Sequence, residues 1–162
     1  MTLAQIQLIS GVQKQILSGE ECLPVQQAAK GDEVTVHYEG RLQRNGLKFD
    51  SSLDRGEPIT FELGTNAVVE GWEQGLLGTC PGQKIKLDIP SELGYGASGA
   101  GGVIPPNADL TFEITLVSLK TKGVKIDIID PRECSKDKKT RDNDIVKFNY
   151  VGYFESGTYV FY

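Results

Sequence analysis

The sequence predicts an α+β domain over about residues 11–120, antiparallel strands with one short helix lying across them. Two observations predict it. Segments near 12–17, 34–39, 59–63, 84–89 and 110–116 alternate apolar and polar side chains, which is the period of a half-buried strand. One stretch, Val68 to Leu77, breaks that period. There Val68, Trp72 and Leu76 recur four residues apart and Val69 joins the same side, the spacing of a short helix with one apolar face. Trp72 is the only tryptophan of the chain and is flanked by Glu70, Glu73 and Gln74. The sheet is therefore expected to wrap around this helix, with the indole where the two meet.

The elements follow in order. Residues 1–10 read as a poorly specified arm in which Leu3, Ile6 and Ile9 make at most one helical turn and fray. Val12–Leu17 is a strand closed by Ser18-Gly19-Glu20, and residues 20–31, with Pro24 and Gly31, are irregular. Val34, Val36 and Tyr38 share one strand face, and Thr35, His37 and Glu39 the other. The strand continues through Leu42 to the Asn45-Gly46 turn signal. Lys48–Ser52 follows, then a polar loop, Asp54–Pro58. Ile59–Leu63 alternates again. Asn66 is placed to cap the turn into the Trp72 helix and Gly78 to end that helix. Lys84–Ile89 sets three charges against three aliphatics before Pro90. A long loop over 91–109 precedes the last strand, which runs from Leu110 to about Leu119; a loop of that length in a compact domain is usually functional.

Composition narrows the function. The chain of 162 residues is 39% hydrophobic and 24% charged, as in globular proteins, and its net charge of −5 argues against a nucleic-acid partner. No run reaches the roughly 18 apolar residues of a membrane span, so no membrane insertion is expected. The N-terminus has neither the charged start nor the apolar core of a signal peptide, so the expectation is cytosolic synthesis or a leader already removed. Gly94-Tyr95-Gly96-Ala97-Ser98-Gly99 fits a dinucleotide fingerprint in letters only, because Pro105-Pro106 follows where a helix must open. His37 is the lone histidine, no nucleophile elbow accompanies it, and the three cysteines are scattered. Asp142-Asn143-Asp144 lacks calcium-loop spacing. An enzyme built on this chain is expected to need no metal, cofactor or nucleophile.

Five motifs then occur in a fixed order: Val36-His37-Tyr38-Glu39-Gly40, Gly46-Leu47-Lys48-Phe49-Asp50-Ser51-Ser52, Val68-Val69-Glu70-Gly71-Trp72-Glu73-Gln74-Gly75, Leu93-Gly94-Tyr95-Gly96 and Ile104-Pro105-Pro106-Asn107-Ala108. Together they closely resemble the FKBP-type peptidyl-prolyl cis-trans isomerases, the macrolide-binding immunophilins. The resemblance implies a five- or six-stranded antiparallel sheet curled around one short helix. It implies a pocket floored by Trp72 and walled by Tyr38, Phe49, Ile59, Val68, Val69, Tyr95, Ile104 and Phe112. Asp50 would stand at the rim, held by Tyr38 and Arg55, and the Val69 N–H and Tyr95 hydroxyl would hold carbonyls of Xaa-Pro polypeptides or macrolides. Phe61, Leu87 and Leu110 remain core residues. Ile59 stands where the family often has an aromatic and Ala100 where its flap often has a histidine, departures that bear on substrate preference and inhibitor affinity. The catalytic set implied is Asp50, Tyr95, Trp72, Phe49 and Tyr38, orienting the carbonyl without proton transfer. A non-catalytic module gripping proline-containing chains in the same pocket is the alternative.

The resemblance also implies a disulfide between Cys22 and Cys80, as in secretory-pathway members, and hence the endoplasmic reticulum lumen or export; the cytoplasm is the alternative. The tail repeats the head. Val12, Cys22, Tyr38 and Gly40 return 112 positions later as Val124, Cys134, Tyr150 and Gly152. The expected organisation is an arm over 1–10, an isomerase domain over 11–120 and the truncated start of a second repeat over 121–162. That start cannot close a core alone, so it is expected to be loosely ordered or held by strand pairing.

Overall fold

The computed structural model describes residues 6–121, 150–154 and 157–161. It divides into two compact units, 1–124 and 125–162. In the first, seven strands form one antiparallel sheet: β1 (Ile6–Ile9), β2 (Val12–Ser18), β3 (Glu33–Leu42), β4 (Lys48–Ser51), β5 (Ile59–Glu62), β6 (Lys84–Ile89) and β7 (Leu110–Lys120). Two short helices interrupt them, α1 (Ser52–Arg55) and α2 (Glu70–Gly75). The order across the sheet is β1-β2-β6-β7-β3-β4, and β5 also pairs with β3. Among the described residues no helix is long and apolar enough to cross a membrane.

Alternation decides the faces. Val34, Val36, Tyr38 and Leu42 of β3 are buried, as are Ile85, Leu87 and Ile89 of β6 and Leu110, Phe112, Ile114 and Leu116 of β7. Trp72 and Leu76 close over this surface. The helix lies close to β6 because it presents glycine there: a Cβ at Gly71 would stand 2.4 Å from Ile89, and one at Gly75 2.5 Å from Leu87. An alanine at either site would have to displace the packed side chain of Ile89 or Leu87.

Four details differ from the sequence reading. The arm is not helical from Ile6 onward, since β1 pairs with β2, Ile6 against Gln15. Ser10 and Gly11 both take positive φ, the conformation of a two-residue hairpin turn, so the domain sheet begins before residue 11. The expected loop after Ser52 opens with α1, because the Ser51 hydroxyl accepts the N–H groups of Leu53 and Asp54 and Gly56 closes the turn at φ 72°. Asn66 does not cap α2; it takes φ 58° in the loop, and Val69 is the helix N-cap, with no side-chain cap bond. Gly78, at φ 71°, turns the chain after Leu76 has already closed the helix.

In the second unit β8 (Tyr150–Phe154) and β9 (Gly157–Phe161) form an antiparallel hairpin pairing Tyr150 with Phe161. The expected strand over 124–129, Cys134, and Leu3 of the arm lie outside the described residues.

Candidate active site

A hollow of about 150 Å³ opens between α2 and the inner face of the sheet. Trp72 forms its floor and is 3% exposed. Tyr38 and Phe112 stand edge-on to the indole, at 5.0 Å and 78° and at 5.2 Å and 90°. Phe49 meets Phe112 at 5.6 Å and 87°. Such T-shaped contacts favour one arrangement of the rings and keep the cavity from collapsing. Ile59, Ala67, Val68, Val69 and Tyr95 complete the wall.

A β-bulge accounts for one rim. The β3–β4 register passes from Gly40 opposite Asp50 to Arg41 opposite Lys48, so Phe49 is the extra residue. Successive residues of a regular strand face opposite ways, whereas a bulge re-aims them. Phe49 and Asp50 thus both line the hollow.

Asp50 is pinned from three sides. The Tyr38 hydroxyl donates to its Oδ2 at 2.5 Å, the Arg55 guanidinium donates to its Oδ1, and its Oδ1 also accepts the Ser51 N–H at 2.8 Å. Arg55 donates a second bond to the Tyr38 hydroxyl at 2.9 Å, so the three side chains form a closed triangle. The one-turn helix α1 brings Arg55 back over Asp50. Burial alone would raise the Asp50 carboxyl, but the bonds from Tyr38 and Arg55, the guanidinium charge and the Ser51 N–H outweigh it and hold the group below its ordinary value. Burial, then the bond to Asp50, moves the Tyr38 phenol upward; burial and the Asp50 charge do the same for Tyr95. Both phenols therefore stay protonated donors near neutrality.

The Val69 N–H, the Tyr95 hydroxyl and the buried Trp72 Nε1–H have no protein acceptor among the described residues. Tyr95 is 40% exposed and belongs to the 91–109 loop. That loop is folded on itself by the Asn107 N–H bond to Gly96 O at 2.8 Å and by a bridge between Ala100 and Ile104.

Nearly all the expected residues converge. Tyr38, Phe49, Asp50, Ile59, Val68, Val69, Trp72, Tyr95 and Phe112 line the hollow. Arg55 borders an adjoining depression instead, and Ile104 is buried in the core without lining the hollow. Ala67 was missed; it carries no chemical signal and is placed by the loop alone. His37 stands apart from the hollow, its Nδ1 3.0 Å from the Ser52 hydroxyl. The same hydroxyl accepts the Tyr38 N–H at 2.7 Å, tying α1 to β3. Among the described residues no three His, Cys, Asp or Glu side chains gather as metal ligands. Cys22 and Cys80 are joined in a disulfide.

The model of the FKBP-type peptidyl-prolyl cis-trans isomerases matches residues 25–117. The chain belongs to the FKBP-type peptidyl-prolyl cis-trans isomerase family. FK506-binding protein 2 of Yarrowia lipolytica is 53% identical over 121 residues, covering 75% of this chain and 80% of that protein. Peptidyl-prolyl cis-trans isomerase FPR2 of Saccharomyces cerevisiae is 54% identical over 102 residues, 63% of this chain and 74% of its own. The crystal structure of FkpA from Escherichia coli is similar with a TM-score of 0.59 and 37% identity, over 70% of this chain and 52% of that one. The isomerase fold of the family thus holds the hollow described above between its helix and its sheet, and the enzyme class is rotation about the peptide bond before proline.

Proposed function

We propose that the hollow over Trp72 receives the proline ring of an Xaa-Pro segment and accelerates rotation of the bond that precedes it, and that the same hollow takes macrolides. The observation that carries this reading is the aromatic floor rimmed by Asp50 and by two unpartnered donors, the Val69 N–H and the Tyr95 hydroxyl. Rotation about an amide crosses a barrier of ~18–20 kcal/mol because it breaks resonance. No bond forms or breaks, so the protein supplies only an environment. A twisted amide is less polar at its carbonyl than a planar one. A dry aromatic cavity therefore favours the twisted geometry over the planar ground state. In this reading Trp72, Tyr38, Phe49 and Phe112 grip the ring, while the Val69 N–H and Tyr95 hydroxyl hold flanking carbonyls. Asp50, kept ionised and motionless by Tyr38 and Arg55, orients the carbonyl without exchanging a proton. Ile104 anchors the 91–109 loop in the core.

The Cys22–Cys80 disulfide supports an oxidising compartment, and we read the protein as one that assists folding in the endoplasmic reticulum lumen or after export. The repeat in the sequence supports residues 121–162 as the start of a second isomerase-type unit. The β8–β9 hairpin agrees in element order with β3–β4, but its connection, 155–156, is shorter than the loop 43–47, so its register differs.

The test is a protease-coupled isomerisation assay on a short Xaa-Pro peptide, comparing the parent with folded Asp50→Ala and Trp72→Leu variants. Acceleration by the parent that falls on the order of tenfold or more in each variant is the expected result, the size of one lost transition-state contact. A folded parent with no acceleration would refute catalysis and assign the hollow to a proline-binding module.

A further inference from the structure

The loop that joins β5 to α2, Gly64 to Val69, carries Ala67, Val68 and Val69 into the wall of the hollow. Among the described residues, the backbone N–H groups of Asn66, Ala67, Val68 and Val69 bond to nothing. The loop also contains two left-handed residues, Gly64 at φ 85° and Asn66 at φ 58°. A Cβ at Gly64 would stand 2.3 Å from the Lys30 side chain, so the backbone there is pressed against a neighbour. The course of this segment is therefore decided at its two ends.

The Trp72 backbone N–H, 2.9 Å from Val69 O, fixes the helix end, and Glu73 joins the other end to it. The backbone N–H of Glu73 donates to Val69 O at 3.3 Å, and its carboxylate Oε2 accepts the Gly64 N–H at 2.5 Å. Its other oxygen is buried and makes no bond among the described residues, so the carboxylate is committed to Gly64 through a single atom. The neighbouring bonds, Leu63 N–H to Asp32 O and the Thr65 hydroxyl to Glu62 O, fix the end of β5 but not the direction in which the chain leaves it.

We propose that Glu73 is a positioning residue of the isomerase: by clamping Gly64 to the first turn of α2 it sets the wall formed by Val68 and Val69 and aims the Val69 N–H into the hollow. This rests on the reading of the hollow as the client site. Glu73 touches neither substrate nor hollow; it acts through the loop. Losing a contact made equally to the planar and twisted amide raises KM and leaves kcat alone. Misplacing the Val69 N–H is such a loss.

The experiment measures KM and kcat on the Xaa-Pro peptide, and macrolide affinity from the fluorescence of Trp72, for the parent, Glu73→Ala, Glu73→Asp and Glu73→Gln. Alanine removes the acceptor, and aspartate keeps the charge but withdraws it by one methylene. Both are expected to raise KM and the macrolide dissociation constant on the order of tenfold, the size of one lost hydrogen bond from the Val69 N–H to the ligand. Glutamine keeps an acceptor in place and loses only the charge, so it stays within about threefold of the parent. An unchanged KM and macrolide affinity in a folded Glu73→Asp would overturn the clamp. So would glutamine failing as badly as aspartate, since that would assign the effect to charge at the helix start. If the parent itself does not accelerate isomerisation, the catalytic reading fails, and the macrolide affinities alone still decide the clamp.

Discussion

Removing the disulfide tests how the hollow is held. The bond joins residues separated by 58 positions. That loop encloses β3, β4, α1, β5 and α2, and so every residue lining the hollow except Tyr95 and Phe112. Chain entropy for a loop of this length gives roughly 4 kcal/mol of stabilisation, acting on the unfolded state. Cys80 is 2% exposed, so its replacement also leaves a small void, which adds to the cost. In a domain of this size each kcal/mol moves the midpoint by about 4 °C, so Cys22→Ala/Cys80→Ala should melt roughly 15 °C below the parent. The assay is thermal unfolding followed by circular dichroism, on the oxidised parent, the parent in reductant and the double variant. Reductant should bring the parent to within a few degrees of the variant. Isomerisation at 25 °C should change by less than about twofold, because neither sulfur lines the hollow. A drop smaller than about 4 °C would refute the reasoning and show that the unfolded chain is already compact across this span.

Three further outcomes are expected. Lys14 is 4% exposed, its ammonium donates to Leu77 O and the Thr79 hydroxyl at 2.8 Å each, and burial lowers it from 10.5 to about 8. The unfolded chain then binds more protons above pH 8, so stability should rise between pH 8 and 10 by about 2 kcal/mol in denaturant titrations, a rise absent from Lys14→Met. Tyr38→Phe should lower kcat/KM by about tenfold with a small change in stability, and because the lost bond depresses Asp50, any acid limb of the pH profile should move to higher pH. If the tail is a separate unit, a chain ending at residue 124 should fold and melt within a few degrees of the full chain by circular dichroism; failure of that shortened chain to fold would refute the division.

Strands were legible where alternation was strict and two-sided, as in Lys84–Ile89, whose charges face out and whose aliphatics pack beneath α2. Trp72 was legible as the junction of helix and sheet because it is a single large aromatic on a helical spacing. The boundaries of α2 were not. Val68 and Val69 keep that spacing yet lie outside the helix, Val68 in a bend and Val69 in extended backbone, because the loop from Gly64 must first reach across to the hollow. Helix α1, of four residues, is too short to show a period, and only Ser51 and Gly56 mark it. The β1 hairpin was hidden in an arm whose apolar residues fit either period; the Ser10-Gly11 pair was the signal. The Asp50 triangle was reached through family resemblance rather than pattern. Nothing in the order Tyr38, Asp50, Arg55 reveals that a bulge at Phe49 and one turn of helix bring them together.

That division follows from the chemistry. A reaction that makes and breaks covalent bonds needs groups of recognisable type, and their spacing can be searched. Rotation of an amide needs a dry cavity, an aromatic floor and a few fixed dipoles, all made from residues that elsewhere are ordinary core. What marks this hollow is a set of free donors that converge on it: the buried Trp72 N–H at the floor, and the Val69 N–H and Tyr95 hydroxyl at the wall, lack protein partners among the described residues. A fold tolerates unpaired donors around a cavity only where their cost is offset by rigid packing, and here the disulfide, the Lys14 bonds to the end of α2 and the Glu73 clamp at its start all bear on the one helix. The stability of the domain and the preorganisation of its site therefore both rest on α2, through different contacts. Variants at Glu73 should move binding and those at Lys14 stability, because only the first lies on the loop side of the helix.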